Sequence, residues 1–221
     1  MTEDAKKATS NQYAIFDMDG TLIDSIPLLD EISVDYLAKR SIPPDKEFNS
    51  RAKTMSLYEY SELLRNIAGN KETIEETLEE IKAHIERVYS ADISAKPKAF
   101  EYIEKLRSNG VRMCVASATE EKFIVLILSR LGLLPYFEFI VTVSKAGKSK
   151  DDPAVFIDAA KRFGETDYSM ITVYEDSPTA MKTAKSAGFR VVGVYDEAER
   201  ANIDEIKKTC DLFIESFRQL F

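Results

Sequence analysis

The chain has 221 residues, 44% of them hydrophobic, with 30 Lys and Arg against 38 Asp and Glu and a net charge of −8. That apolar fraction excludes a disordered chain, and the acidic balance argues against a nucleic-acid or anionic-membrane surface, both of which recruit clustered positive charge. The two cysteines, Cys114 and Cys210, exclude a disulfide framework, and no apolar stretch approaches the ~20 residues that span a bilayer.

In chain order, Met1 to Asn11 is polar, lacks an apolar signal-peptide core, and is expected to be a flexible tail. Tyr13 to Phe16 is a short apolar run that stops at Asp17-Met18-Asp19-Gly20-Thr21, the pattern of a buried strand entering a turn. No strand-like run follows for about 90 residues, too long for one crossover helix. Instead the spacing predicts helices near 28–40, 56–68 and 71–89, with Pro43-Pro44 marking a turn and Lys96-Pro97 a return. Strand-like runs then recur at 111–116, 139–143, 170–174 and 190–195. Helical patterns separate most of them: Lys98 to Ser108, Glu121 to Leu131, Pro153 to Phe163, and a segment opened by Pro178 and closed by Gly188. Alternation of this kind predicts an α/β fold, a doubly wound parallel sheet with a Rossmann-like core. The core is expected over 12–24 and 94–221, with an all-helical cap domain inserted over 25–93.

Four polar elements fall at the predicted carboxyl ends of strands, where open α/β sheets bind ligands. Asp17 and Asp19 are like charges in one turn, a costly arrangement that a hard divalent cation relieves; taken alone they are equally well a surface turn. Ser117 precedes a helix whose first amides suit an anion, or it is merely an N-cap. Gly147-Lys148-Ser149-Lys150 offers a point charge for a phosphate, or two solvated lysines. Glu175 and Asp176 supply a second half of a metal site, or a favourable helix start. Gathered at one sheet edge, the set suits a phosphoryl group bridged to Mg²⁺. Cys114, inside an apolar run, reads as a small buried hydrophobe, and the lone histidine, His84, receives no role.

Asp17 to Ser25, Ser117, Gly147-Lys148 with Asp152, and Glu175-Asp176-Ser177 resemble the four motifs of the haloacid dehalogenase superfamily, in its β-phosphoglucomutase and phosphoglycolate phosphatase-like branch. The resemblance spans residues 12 to about 195. It implies that Asp17 is the nucleophile and forms an aspartyl-phosphate, and that Asp19 serves as acid and then base. It further implies phosphate contacts from Ser117, Ala118 and Lys148, a catalytic pairing of Lys148 with Asp17, and Mg²⁺ held by Asp17, Asp19 (through its carbonyl), Asp176 and Glu175. The third motif departs from the family's Gly-Lys-Pro-x-Pro-Asp by lacking both prolines, which leaves Lys150 as a rival to Lys148; Ala118 stands where Asn or Ser is frequent, and Ala180 where Gly is usual.

The expected activity is Mg²⁺-dependent hydrolysis of a small phosphorylated metabolite by a cytoplasmic protein, a monomer by default. The alternative is a phosphomutase using cap cations such as Arg40, Arg51, Lys53 or Arg65 to hold a sugar phosphate. A non-catalytic binding protein on the same fold is disfavoured, because no catalytic carboxylate is missing.

Overall fold

The computed structural model describes residues 11–43, 55–90 and 93–221. The expected tail, apart from Asn11, lies outside these residues, as do Pro44, Arg51 and Lys53. In order the elements are β1 (Tyr13–Phe16), α1 (Ile26–Ala38), α2 (Leu57–Ile67), α3 (Ile74–Ser90), α4 (Ala99–Ser108), β2 (Arg112–Ser117) and α5 (Glu121–Arg130). Then follow β3 (Phe139–Thr142), the short α6 (Val143–Ala146), α7 (Ala154–Phe163), β4 (Ile171–Glu175), α8 (Pro178–Ser186), β5 (Arg190–Val194), α9 (Ile203–Thr209) and β6 (Leu212–Ile214).

The strands form one parallel sheet in the order β3-β2-β1-β4-β5-β6. The near-continuous apolar runs have a direct cause, since both faces of the sheet are covered. Ala14, Phe16, Met113, Val115, Tyr174 and Val192 point into one core with α4 and α5, while Ile15, Cys114, Val173 and Val191 point into the other with α7 and α8. Phe16 and Tyr174 stack with ring centroids 4.3 Å apart, locking the two central strands side by side. Cys114 is fully buried and its thiol is pushed well above the ordinary range by that burial, as expected of a core residue. The chain builds outward from β1 to β3, then returns to β4 and builds the other way, so the topological switch lies between β1 and β4.

Helices α1, α2 and α3 pack on one another, and α3 also packs on α5 of the core. Two of them begin with sequence-encoded capping boxes. In α2 the Glu59 amide donates to Ser56 Oγ and the Ser56 amide to Glu59 (3.3 and 2.7 Å). Before α3 the Glu76 and Thr73 amides make the same reciprocal pair (3.2 and 2.9 Å). Along α3 the buried residues are Thr77, Ile81, Ile85 and Tyr89, a spacing of one residue every helical turn. That stripe ends at Tyr89, against the core.

Two differences from the expected strands have a local cause. The run at 139–143 ends a residue early, because Val143 opens α6 with Thr142 as its cap, its hydroxyl accepting from the Lys145 amide. β6 was not anticipated: three residues at a sheet edge are too short to show a period.

Candidate active site

The ladder of β1 runs one residue past the strand, with the Asp17 amide donating to the Tyr174 carbonyl (2.9 Å). The backbone then turns, and the Leu22 and Ile23 amides donate to the Met18 carbonyl (2.9 and 3.1 Å). Gly20 holds the turn in the left-handed region, with φ +83°. A Cβ there would lie 2.5 Å from Asp176 Oδ2, so glycine both permits the conformation and lets the turn press against Asp176. Thr21 secures the contact by donating its hydroxyl to Asp176 Oδ1 (3.1 Å).

Asp17, Glu175 and Asp176 are buried, and each brings a carboxylate oxygen within 4.8 Å of the others. Lys150, 2% exposed, donates to Asp17 Oδ1 (2.5 Å) and Glu175 Oε2 (2.8 Å). Burial works against the ammonium, but the adjacent Asp17 and Glu175 outweigh it and hold Lys150 above the ordinary lysine range. Burial first, and the Asp17 charge second, push Glu175 up to about 7 against the pull of Lys150. A single lysine cannot balance this acidic cluster. An all-oxygen, net-negative donor set of that span, with Gly20 giving it room, fits a hard divalent cation.

Asp19 sits beside the cluster in a different environment. Its Oδ1 accepts from Ser25 Oγ (2.6 Å) and Tyr89 OH (2.7 Å), and its Oδ2 from Thr119 Oγ1 (2.8 Å). Desolvation raises its pKa, opposed by the Ser25 and Tyr89 hydrogen bonds. The three hydroxyls come from the start of the helical insertion, its end, and the loop after β2. Arg130 clamps the last of α3 and the return to the core, donating to the carbonyls of Tyr89 (3.2 Å) and Ile93.

Ser117 ends β2, is buried, and accepts from the Thr119 amide (3.1 Å). The α5 N-cap is Glu120, which makes no side-chain cap bond, so neither Ser117 nor Thr119 caps that helix. Asp17, Asp19, Ser117, Ala118, Glu175 and Asp176 all line one cleft of about 130 Å³ between the sheet edge and the insertion.

Lys148, expected against Asp17, does not reach it. It is exposed and lines a separate depression beside Ser56 and Glu59. The reason is the turn after α6, in which the Asp152 amide donates to the Ser149 carbonyl (3.0 Å) and Asp152 Oδ1 accepts from the Ala154 amide (2.9 Å). That turn directs Lys150 inward beside Asp17 and leaves Lys148 exposed. Lys150 was visible in the sequence only as the rival of Lys148, because the two share one loop. Tyr89 carried no signal, because only the packing of α3 brings it to Asp19.

Arg40 is engaged inside the insertion. Its guanidinium lies 3.5 Å from the Tyr36 ring centroid and pairs with Glu72 (2.5 Å) and Glu80 (2.8 Å). Arg65 reaches the Glu72 carbonyl (3.5 Å). Neither lines the cleft.

The profile of the haloacid dehalogenase-like hydrolases matches residues 14–194. The chain is 27% identical over 184 residues to a phosphorylated carbohydrates phosphatase of Thermotoga maritima, covering 83% of this chain and 85% of that one. It is 26% identical over 208 residues to a phosphoglycolate phosphatase of Nitrosospira multiformis, covering 91% and 90%. Among solved structures, a β-phosphoglucomutase from Clostridium difficile superposes with a TM-score of 0.78 at 24% identity, covering 96% and 93%. The match runs from β1 to the end of β5 and takes in every element that lines the cleft, and on that ground the chain belongs to the haloacid dehalogenase-like hydrolase family.

Proposed function

We propose that this protein is a phosphatase that hydrolyses a small phosphate monoester with Mg²⁺, through an aspartyl-phosphate on Asp17. The observation that carries this proposal is the placement of Asp17 at the cleft floor between Lys150 and the acidic pair, with the separately held Asp19 beside it. Residues 25–93 act as a cap on a core of 12–24 and 94–221. The phosphatase names of the relatives support the reaction class.

Asp17 attacks phosphorus, the bond to the leaving oxygen breaks, and that oxygen takes the proton of Asp19. Water then attacks the phospho-aspartate while Asp19 takes its proton, releasing phosphate and restoring the Asp17 carboxylate. Desolvation suits Asp19 to holding a proton before the first step. Lys150 orients Asp17 and offsets its charge, and Ser117 receives the phosphoryl oxygens. Asp17, Asp176, Glu175 and the Asp19 carbonyl would hold Mg²⁺, which supplies positive charge against the phosphoryl oxygens. Of the cap cations that a phosphomutase would use, Arg40 and Arg65 are turned away from the cleft, while Arg51 and Lys53 lie outside the described residues.

Hydrolysis of p-nitrophenyl phosphate with Mg²⁺ and with EDTA tests this proposal directly. Metal-dependent release of nitrophenol is expected, and turnover unaffected by EDTA would count against it. Binding has its own signature in thermal unfolding. At one hundred times Kd, Mg²⁺ is expected to stabilise by about 2.7 kcal/mol, which raises Tm by about 5–10 °C for a chain of this size. The shift is expected to grow with pH. In the metal-free protein Glu175 keeps its proton up to about 7 against an ordinary value of 4.5, so its contribution to stability is present at low pH and is lost as pH rises through 7. Cation binding needs the carboxylate, so Mg²⁺ gains most over the same window. A shift independent of pH would separate Glu175 from the metal.

A further inference from the structure

A carboxyl group offers about four lone-pair sites, shared equally between its oxygens. On Asp19 Oδ1 both are taken, by the hydroxyls of Ser25 (2.6 Å) and Tyr89 (2.7 Å). On Oδ2 the Thr119 hydroxyl (2.8 Å) takes one. The surroundings of the two oxygens differ as well. Ser25 and Tyr89 are fully buried and do not line the cleft, whereas Thr119 does. Oδ1 therefore faces the protein and Oδ2 the cleft, and among the described residues nothing else occupies Oδ2.

Tyr89 is itself held firmly enough to fix that orientation. It ends the buried stripe of α3, and its ring meets Phe123 of α5 edge to face, with centroids 6.2 Å apart. Arg130, at the end of α5, donates to its carbonyl (3.2 Å). The entry and exit of the insertion run side by side, the Asp24 amide donating to the Ser94 carbonyl (3.0 Å) and the Lys96 amide to the Leu22 carbonyl (2.8 Å). That pairing brings Ser25 and Tyr89 to the same oxygen of Asp19. A donor whose own rotamer is locked by packing can hold a reacting group in its productive geometry. From this we infer that Tyr89 is a positioning residue that acts through Asp19. By occupying Oδ1 it leaves Oδ2 to give its proton to the leaving oxygen and later to take one from the attacking water. The inference rests on the phosphatase proposal, since it presumes that Asp19 exchanges protons in the cleft.

Removing the hydroxyl tests this, because a proton matters most to a leaving oxygen of high basicity. With Mg²⁺ present, kcat/KM of wild type and Tyr89→Phe would be compared across dinitrophenyl, p-nitrophenyl and phenyl phosphate. Dinitrophenolate departs without a proton, so its kcat/KM is expected to stay within about twofold of wild type. The loss is expected to grow with the basicity of the leaving oxygen and to reach at least about tenfold for phenyl phosphate. Partial unfolding cannot imitate that pattern, since it lowers every value by one factor. Ser25→Ala removes the other donor to Oδ1 and no side-chain cap bond of α1, and it is expected to steepen the series in the same direction. Should Tyr89→Phe fail to fold, Ser25→Ala decides. Hydrolysis of the series by wild type, with the same dependence on the leaving group in the variant, would overturn the inference and leave the phosphatase proposal standing. No hydrolysis of any ester by wild type would end the phosphatase proposal and the inference with it.

Discussion

Asp17→Asn is expected to lower kcat for p-nitrophenyl phosphate by at least about 10³-fold, the order seen when a covalent nucleophile is removed. The substitution keeps the shape of the side chain and a carbonyl oxygen for Lys150, but the amide is a poor nucleophile. Its effect on folding should be smaller than its effect on rate, since it removes both a favourable pair with Lys150 and an unfavourable one with Glu175. The Mg²⁺-induced rise in Tm should shrink, because one of the three clustered carboxylates is gone. Mass spectrometry after acid quench gives a sharper test. Wild type turning over substrate should carry one phosphoryl group on the peptide that contains Asp17, and the variant none. Full turnover by Asp17→Asn, or a phosphoryl group trapped on another residue, would sink the mechanism.

The second large effect is expected from Lys150→Met, set against Lys148→Ala. Lys150 is 2% exposed and bridges Asp17 and Glu175, so its removal leaves the Asp17 carboxylate buried beside Glu175 with no cation between them. Breaking a buried pair by deleting one partner costs about 3–5 kcal/mol, or about 6–20 °C in Tm for a chain of this size. The loss should be largest in EDTA and partly reversed by Mg²⁺, which supplies the missing positive charge. Activity should collapse even where Mg²⁺ restores folding, because the Asp17 carboxylate loses its orienting donor. Lys148 is exposed and far less constrained, so Lys148→Ala should change stability by no more than about 0.5 kcal/mol and leave turnover close to wild type. Equal losses in the two variants would mean that the loop after α6 rearranges when substrate binds. A larger loss at Lys148 would overturn the assignment of Lys150.

These two tests fall on opposite sides of what the sequence makes legible. Asp17 and Asp19 were legible as acids at a strand end, because a buried strand stopping at two carboxylates and a glycine is a local pattern; only together with the acids at the other strand ends did it point to a site and not a surface turn. Glu175 and Asp176 were legible for the same reason at the end of β4. Local signals also predicted the helices of the insertion, through amphipathic spacing. β6 was lost because three residues at an edge leave too little pattern.

The sequence by itself determined the alternation of strands and helices, the long helical interruption after β1, and the acids at the strand ends. Those properties follow from side-chain chemistry at short range, where period and capping act. Only the tertiary structure decided which lysine meets Asp17, since the turn from Ser149 to Asp152 sets the direction of each side chain. It also decided that Arg40 is held by Glu72 and Glu80, and that Tyr89 crosses 70 residues of chain to reach Asp19. Contacts between segments distant in sequence depend on how helices pack, and no local pattern encodes them.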